Sequence, residues 1–159
     1  TMISPSATSP ALSTIADNGY FFRTAPSDAR QGQILAEIVL ERGISEVAVT
    51  FTNNDYGKGL SDSFISAYKG LGGKVSATVP HEDGKADYSA EVGTLDASGA
   101  GVLAVFGYVD QGGRHMIQTS IDSGDFDKFI RADGVDCVSL LENIDDDLSE
   151  TFETIQATD

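Results

Sequence analysis

Short β-branched runs alternating with segments of helical apolar spacing leave a chain few folds to choose from, and this sequence keeps up that alternation over residues 46–132. Glu46-Val47-Ala48-Val49-Thr50-Phe51 reads as a strand closed by the polar turn Thr52-Asn53-Asn54-Asp55-Tyr56-Gly57. Leu60, Phe64, Ala67 and Leu71 then make one helical stripe, stopped at Gly72-Gly73. Residues 74–79 read as a second strand ending at Pro80, and past the polar loop His81-Glu82-Asp83-Gly84 a third helical face follows from Tyr88, Val92 and Leu95. The unbroken apolar run Val102-Leu103-Ala104-Val105-Phe106 suits a central strand covered on both faces. Met116, Ile117, Ser120 and Ile121 form the inner face of a helix ending at Gly124, and residues 128–132 read as a fourth strand. This βαβαβαβ order, with right-handed crossovers, predicts an α/β fold: a doubly wound, mostly parallel sheet flanked by helices.

The flanks are less regular. Residues 1–18 are rich in Ser, Thr, Pro and Ala without a sustained period and read as a short extended piece followed by loop, a connector. From an N-cap at Ser27, the apolar residues Ile34, Leu35, Ile38 and Val39 share one helical face that stops at Gly43. Residues 151–155 read as a strand, although Leu148, Phe152 and Ile155 also fit a helix. The opening Thr1-Met2-Ile3-Ser4-Pro5 shows neither an initiator Met nor a basic and apolar leader, as expected of a piece of something longer.

Composition excludes several classes of function. Twenty-five acidic against 10 basic residues give a net charge of −15, which repels nucleic-acid phosphates over most of the surface. The single cysteine, Cys137, permits no intrachain disulfide and no Cys-based zinc site, and reads as a small buried hydrophobe. No apolar run approaches the roughly 20 residues of a membrane-spanning helix.

In open α/β sheets, ligands sit outside the carboxyl ends of the strands. Those ends here are Asn53-Asn54-Asp55-Tyr56-Gly57, Gly107-Tyr108-Val109-Asp110-Gln111-Gly112-Gly113 and Asp133-Gly134. Two tyrosines and a carboxylate on one edge offer aromatic walls and an anionic partner for a ligand carrying an ammonium group, although each is equally a turn residue at a strand end. His81 and His115 have no partner at metal spacing and read as surface histidines. Glu82 and Asp83 beside His81, and the run Asp145-Asp146-Asp147, read as solvated acidic turns, so neither a metal nor another cofactor is expected. No G-x-S-x-G elbow, phosphate-cradling loop or dinucleotide fingerprint is present; Gly57-Lys58-Gly59 lacks its third glycine.

Four segments in register resemble the branched-chain amino-acid (leucine/isoleucine/valine type) substrate-binding proteins of bacterial ABC transporters. They are Met2-Ile3-Ser4-Pro5-Ser6-Ala7-Thr8-Ser9-Pro10, Phe22-Arg23-Thr24-Ala25-Pro26-Ser27-Asp28-Ala29-Arg30-Gln31-Gly32, Asn54-Asp55-Tyr56-Gly57-Lys58-Gly59-Leu60 and Phe106-Gly107-Tyr108. The resemblance implies the type I periplasmic binding fold: two α/β lobes joined by three crossovers that close on a small ligand. Residues 1–20 would be the end of lobe one and the first crossover, and 21–159 an incomplete lobe two. By the same resemblance, Ser6 and Thr8 hold the ligand's α-carboxylate or α-ammonium, and Tyr56 and Tyr108 close over it. Asp133 falls where relatives often carry a Glu that pairs with the ammonium.

The function implied is a periplasmic, non-enzymatic receptor for an amino acid, with the transporter's membrane permease as partner. An alternative in the same fold is a small-metabolite sensor of a regulatory system. An enzyme using Asp55, Asp110 or Asp133 as general base would need a nucleophile or cofactor cradle that the sequence does not supply. With lobe one absent, Met2, Ile3 and Leu12 lose partners, so the arm is expected to be mobile or to exchange with a second copy as a strand-swapped dimer.

Overall fold

The computed structural model describes residues 1–126 and 128–135. The expectations for Cys137, for Asp145-Asp146-Asp147 and for a strand at 151–155 lie outside the described residues.

Two parallel sheets organise these residues. The larger holds β3 (Glu46–Thr52), β4 (Lys74–His81), β5 (Val102–Phe106) and β6 (Lys128–Arg131) in the order β4-β3-β5-β6, every pair parallel. The smaller pairs β1 (Met2–Ser4) with β2 (Phe21–Arg23). Helices α1 (Asp28–Glu41), α2 (Asp55–Gly70), α3 (Ser89–Asp96) and α4 (Gly113–Ser123) connect the strands. The predicted alternation is present in full, and β5 lies inside the sheet beside β3.

Each face of the large sheet carries its own core. Leu35, Ala36 and Val39 of α1 and Leu60, Phe64 and Tyr68 of α2 pack on Val47, Val49, Ala104 and Ile130. On the other face, Tyr88, Val92 and Leu95 join Met116 and Ile117 of α4 over Ala48, Leu103, Val105 and Phe129. Successive strand residues point to opposite faces, so β3 and β5 supply both cores by alternation. This is why Val102–Phe106 carries no polar residue.

Local chemistry sets the helix ends. The Ser27 hydroxyl accepts the Ala29 N–H at 3.3 Å, and the Asn54 side-chain oxygen accepts the Gly57 N–H at 3.0 Å, each satisfying an otherwise orphaned donor. Helices α1 and α2 approach so closely that a Cβ on Gly32 would sit 2.7 Å from the Phe64 backbone nitrogen. Only glycine permits that crossing.

Two sequence expectations are corrected here, and the arm is located. Leu71 does not complete the α2 stripe: it is 54% exposed, and the last core contact belongs to Tyr68, four residues after Phe64. Tyr68 is amphipathic, its ring stacked on Phe64 and its hydroxyl donating to the Ile44 carbonyl at 2.7 Å, so an apolar pattern passes over it. Burial pushes that hydroxyl's pKa up to about 12. His81 is not a surface histidine; it is buried. The arm, expected to be mobile or exchanged with a second copy, is seen paired within its own chain. Its β1 strand pairs with β2 of the same chain, and the 3₁₀ turn Pro10–Ser13 lies against α2, with Pro10 beside Gly59. Met2 and Ile3 nonetheless remain 65% and 67% exposed.

The corrected stripe predicts a contrast measurable by urea denaturation. Leu60→Ala is expected to cost about 2–5 kcal/mol through lost burial and a residual cavity, and Leu71→Ala no more than about 0.5 kcal/mol. Equal losses would restore the original stripe.

Candidate functional site

Parallel pairing brings the carboxyl ends of β3, β5 and β6 to one edge, and the side chains that follow them meet there. Tyr56 opens α2 just after β3, and Tyr108 follows β5. Their rings stack with centroids 4.9 Å apart and planes inclined at 27°. Asp133 follows β6, accepts a hydrogen bond from Gln31 Nε2 at 2.9 Å, and interacts with the Tyr56 hydroxyl. Closeness at this edge is enforced by the backbone, since a Cβ on Gly134 would lie 2.4 Å from the Gly107 carbonyl oxygen and 2.7 Å from the Tyr56 hydroxyl. Burial first, and then the Asp133 charge, raise the Tyr56 pKa, so this phenol is a neutral donor. Burial likewise raises that of Tyr108.

Facing this edge is a cleft of about 380 Å³ whose lining includes Ser6, Thr8, Asp28, Gln31 and Asp133. The segment carrying Ser6 and Thr8 is fixed by the start of α1 and by β2. The Asp28 N–H donates to the Thr8 carbonyl at 3.0 Å, and the Arg23 guanidinium donates to the carbonyls of Ala7 at 3.2 Å and Ser9 at 2.8 Å. Ser6 is exposed and Thr8 half-buried. The structure therefore brings Ser6, Thr8 and Asp133 to one cleft, and sets Tyr56 and Tyr108 beside it rather than in its lining.

Two cleft residues escaped the sequence reading. Asp28 and Gln31 stand three apart in the first turn of α1, a spacing that puts both on one helix face. An acidic residue at a helix start reads as a partner for the helix dipole, which hid the rest of its role. Asp28 is 1% exposed. Burial raises its pKa to about 6; a hydrogen bond from the Thr8 hydroxyl opposes the shift, the Asp133 charge adds to it, and Arg23 opposes it least.

His81 lies on the far side of the same edge. Its Nδ1 is 2.8 Å from the Thr50 hydroxyl, and its ring meets Tyr88 edge-on with centroids 6.0 Å apart. Burial lowers its pKa against the opposing pull of Asp83, Glu91 and Glu82. It packs beside Gly107 and Gly112 and so supports the loop that carries Tyr108. Asn53 Nδ2 donates to Glu82 Oε1 at 2.6 Å, joining the ends of β3 and β4.

A family model for the periplasmic binding proteins matches residues 1–136. The chain belongs to that family. It is 37% identical over 117 residues to Leu/Ile/Val-binding protein homolog 3 of Brucella melitensis biotype 1, an alignment covering 70% of this chain and 30% of that protein. Among solved structures, the leucine binding protein LivK from Thermotoga maritima MSB8 superposes with a TM-score of 0.77 at 26% identity, over 89% of this chain and 40% of that one. An ABC transporter substrate-binding protein from Desulfitobacterium hafniense, solved in complex with Leu, has the same fold, with a TM-score of 0.67 at 24% identity over 84% of this chain and 40% of that one. This periplasmic binding protein chain thus spans well under half the length of these relatives. The α/β lobe with parallel strands expected from the sequence is the one observed.

Asp28 makes stability depend on pH in a stated direction. Its folded-state pKa of about 6 exceeds the ordinary value of 3.8, so the folded protein binds the extra proton and loses stability as pH rises between those values. Asp28→Asn removes the effect. Thermal melts should show the variant gaining on the wild type between pH 4 and pH 7; a constant difference would place Asp28 in a solvated setting.

Proposed function

We propose that this chain is the first crossover and second lobe of the substrate-binding component of a bacterial ABC uptake transporter, which takes an amino acid of the branched-chain type between two lobes. Residues 1–20 close lobe one and cross over, and 21–159 belong to lobe two. The protein works in the periplasm, without catalysis, and delivers its ligand to a membrane permease. The observation that carries this reading is the cleft itself, lined by Ser6, Thr8 and Asp133, with the Tyr56–Tyr108 stack beside it. Hydroxyls and a carboxylate suit the two ends of a zwitterion, and aromatic rings suit a ligand's cationic or apolar part. Ser6, Thr8, Tyr56, Tyr108 and Asp133 are the residues assigned to ligand contact. The Leu/Ile/Val-type names of the relatives support the ligand class.

Calorimetry with a panel of amino acids tests the division of labour. Residues 1–159 alone should show no micromolar site and no turnover, because the groups fixing the α-carboxylate belong mostly to lobe one. A two-lobed protein containing this chain should bind at least one of leucine, isoleucine and valine at micromolar concentration or below. A tight complex with residues 1–159 alone would contradict the division, and silence of the two-lobed protein toward every amino acid would contradict the ligand class.

A further inference from the structure

His81 ends β4 as a buried imidazole with one nitrogen left over. The residue is 1% exposed, and while its Nδ1 meets the Thr50 hydroxyl at 2.8 Å, its Nε2 has no hydrogen-bond partner among the described residues. That nitrogen lies against the loop carrying Tyr108. A Cβ on Gly107 would stand 3.2 Å from it, and one on Gly112 would stand 3.4 Å from the ring's Cδ2. The ring therefore packs on both ends of the segment 107–112, which is tied from outside by the Gly84 N–H donating to the Gln111 carbonyl at 2.6 Å. Thr50 and Thr52 of β3, which stand beside His81, carry no charge, and Tyr88, just before α3, meets the ring edge-on. The charges that act on it are Asp83, Glu91 and Glu82. Each already has a donor: the Thr52 hydroxyl for Asp83, the Lys85 ammonium for Glu91 and the Asn53 amide for Glu82. A protonated ring in this pocket would bury a charge and an N–H with no free acceptor, which costs more than the one unpaired nitrogen of the neutral ring.

We propose that His81 is a positioning residue for Tyr108 and the latch of its loop: the neutral imidazole holds segment 107–112 in place, and a protonated one leaves its pocket for water and frees that segment. The latch works in the unliganded chain, whatever the cleft receives. Its consequence reaches the site because Tyr108 stacks on Tyr56, and a freed loop loosens that stack. The direction of the pH dependence follows from the two states. A released ring is solvated and takes a proton near the ordinary histidine value of about 6.5, whereas burial in the closed state holds the proton off. The closed loop is therefore fully favoured above that value, and the open one gains as pH falls below it. Opening of a surface loop of this kind is a local event that leaves the two cores folded.

Amide hydrogen exchange followed by NMR on residues 1–159, corrected for the intrinsic pH dependence of exchange, tests the latch through the Gly84 amide. Its protection should fall about tenfold between pH 7 and pH 5. The fall should keep step with the His81 ring signal and not with that of His115, which is exposed on α4. The Tyr108 ring signals should move with the His81 midpoint. Asp28 titrates in the same range, with a pKa of about 6, so the series is repeated on Asp28→Asn, where both responses should persist. His81→Phe, which keeps a ring and removes the titrating nitrogen, should leave Gly84 protection independent of pH. If that variant does not fold, the comparison of midpoints in the unaltered chain decides. Constant Gly84 protection, protection that follows His115, Tyr108 signals that stay put while His81 titrates, a response lost in Asp28→Asn or one retained in a folded His81→Phe would each overturn the latch. No amino acid is present in these measurements, so their failure is distinct from a failure of the calorimetry that tests the ligand class.

Discussion

The parallel pairing of β3 with β5 is the interaction on which the rest depends. Ala48 through Phe51 align with Leu103 through Phe106 in continuous register, so both strands end at the same level and release their following residues side by side. Tyr56 and Tyr108 come from segments about fifty positions apart, yet their rings stack because their strands are neighbours. A parallel sheet in turn requires cover on both faces. That requirement is met by α1 and α2 on one side and α3 and α4 on the other, so the sheet's carboxyl edge remains the open face for a ligand.

Against this apolar frame the cleft gathers charge, with Asp28, Asp133 and Arg30 all in its lining. Asp28 sits at the start of α1, where the helix dipole favours a negative charge, yet desolvation wins and its pKa rises. The Asp133 carboxylate adds to the effect rather than offsetting it. Natural cores seldom bury a carboxylate without a committed cation, and sites that bind charged ligands are where such arrangements are found.

Much of this was legible in the sequence, for identifiable reasons. The uninterrupted Val102–Phe106 run announced a doubly covered strand, and the spacing of Tyr88, Val92 and Leu95 announced a buried face. The rule that ligands sit beyond strand ends selected Tyr56, Tyr108 and Asp133, which do converge. Amphipathic and titratable side chains were harder to read. Tyr68 hides its hydroxyl on the Ile44 carbonyl, and His81 is buried because Thr50 and Tyr88 receive its ring, contacts that no local pattern records. Asp28 was legible as a helix start but not as a cleft residue, because its depth depends on the segment carrying Thr8 folding over it. The β1–β2 pairing was missed for a similar reason: a three-residue strand carries too little alternation to register.

The central proposal is that the side chains meeting at the sheet's carboxyl edge receive an amino acid, and a crystal structure of a two-lobed protein containing this chain, grown with leucine, tests it most directly. The account predicts leucine in the cleft, in contact with Tyr56, Tyr108 and Asp133. Leucine seated elsewhere on the molecule, or lying in the cleft without touching any of these three residues, would contradict it.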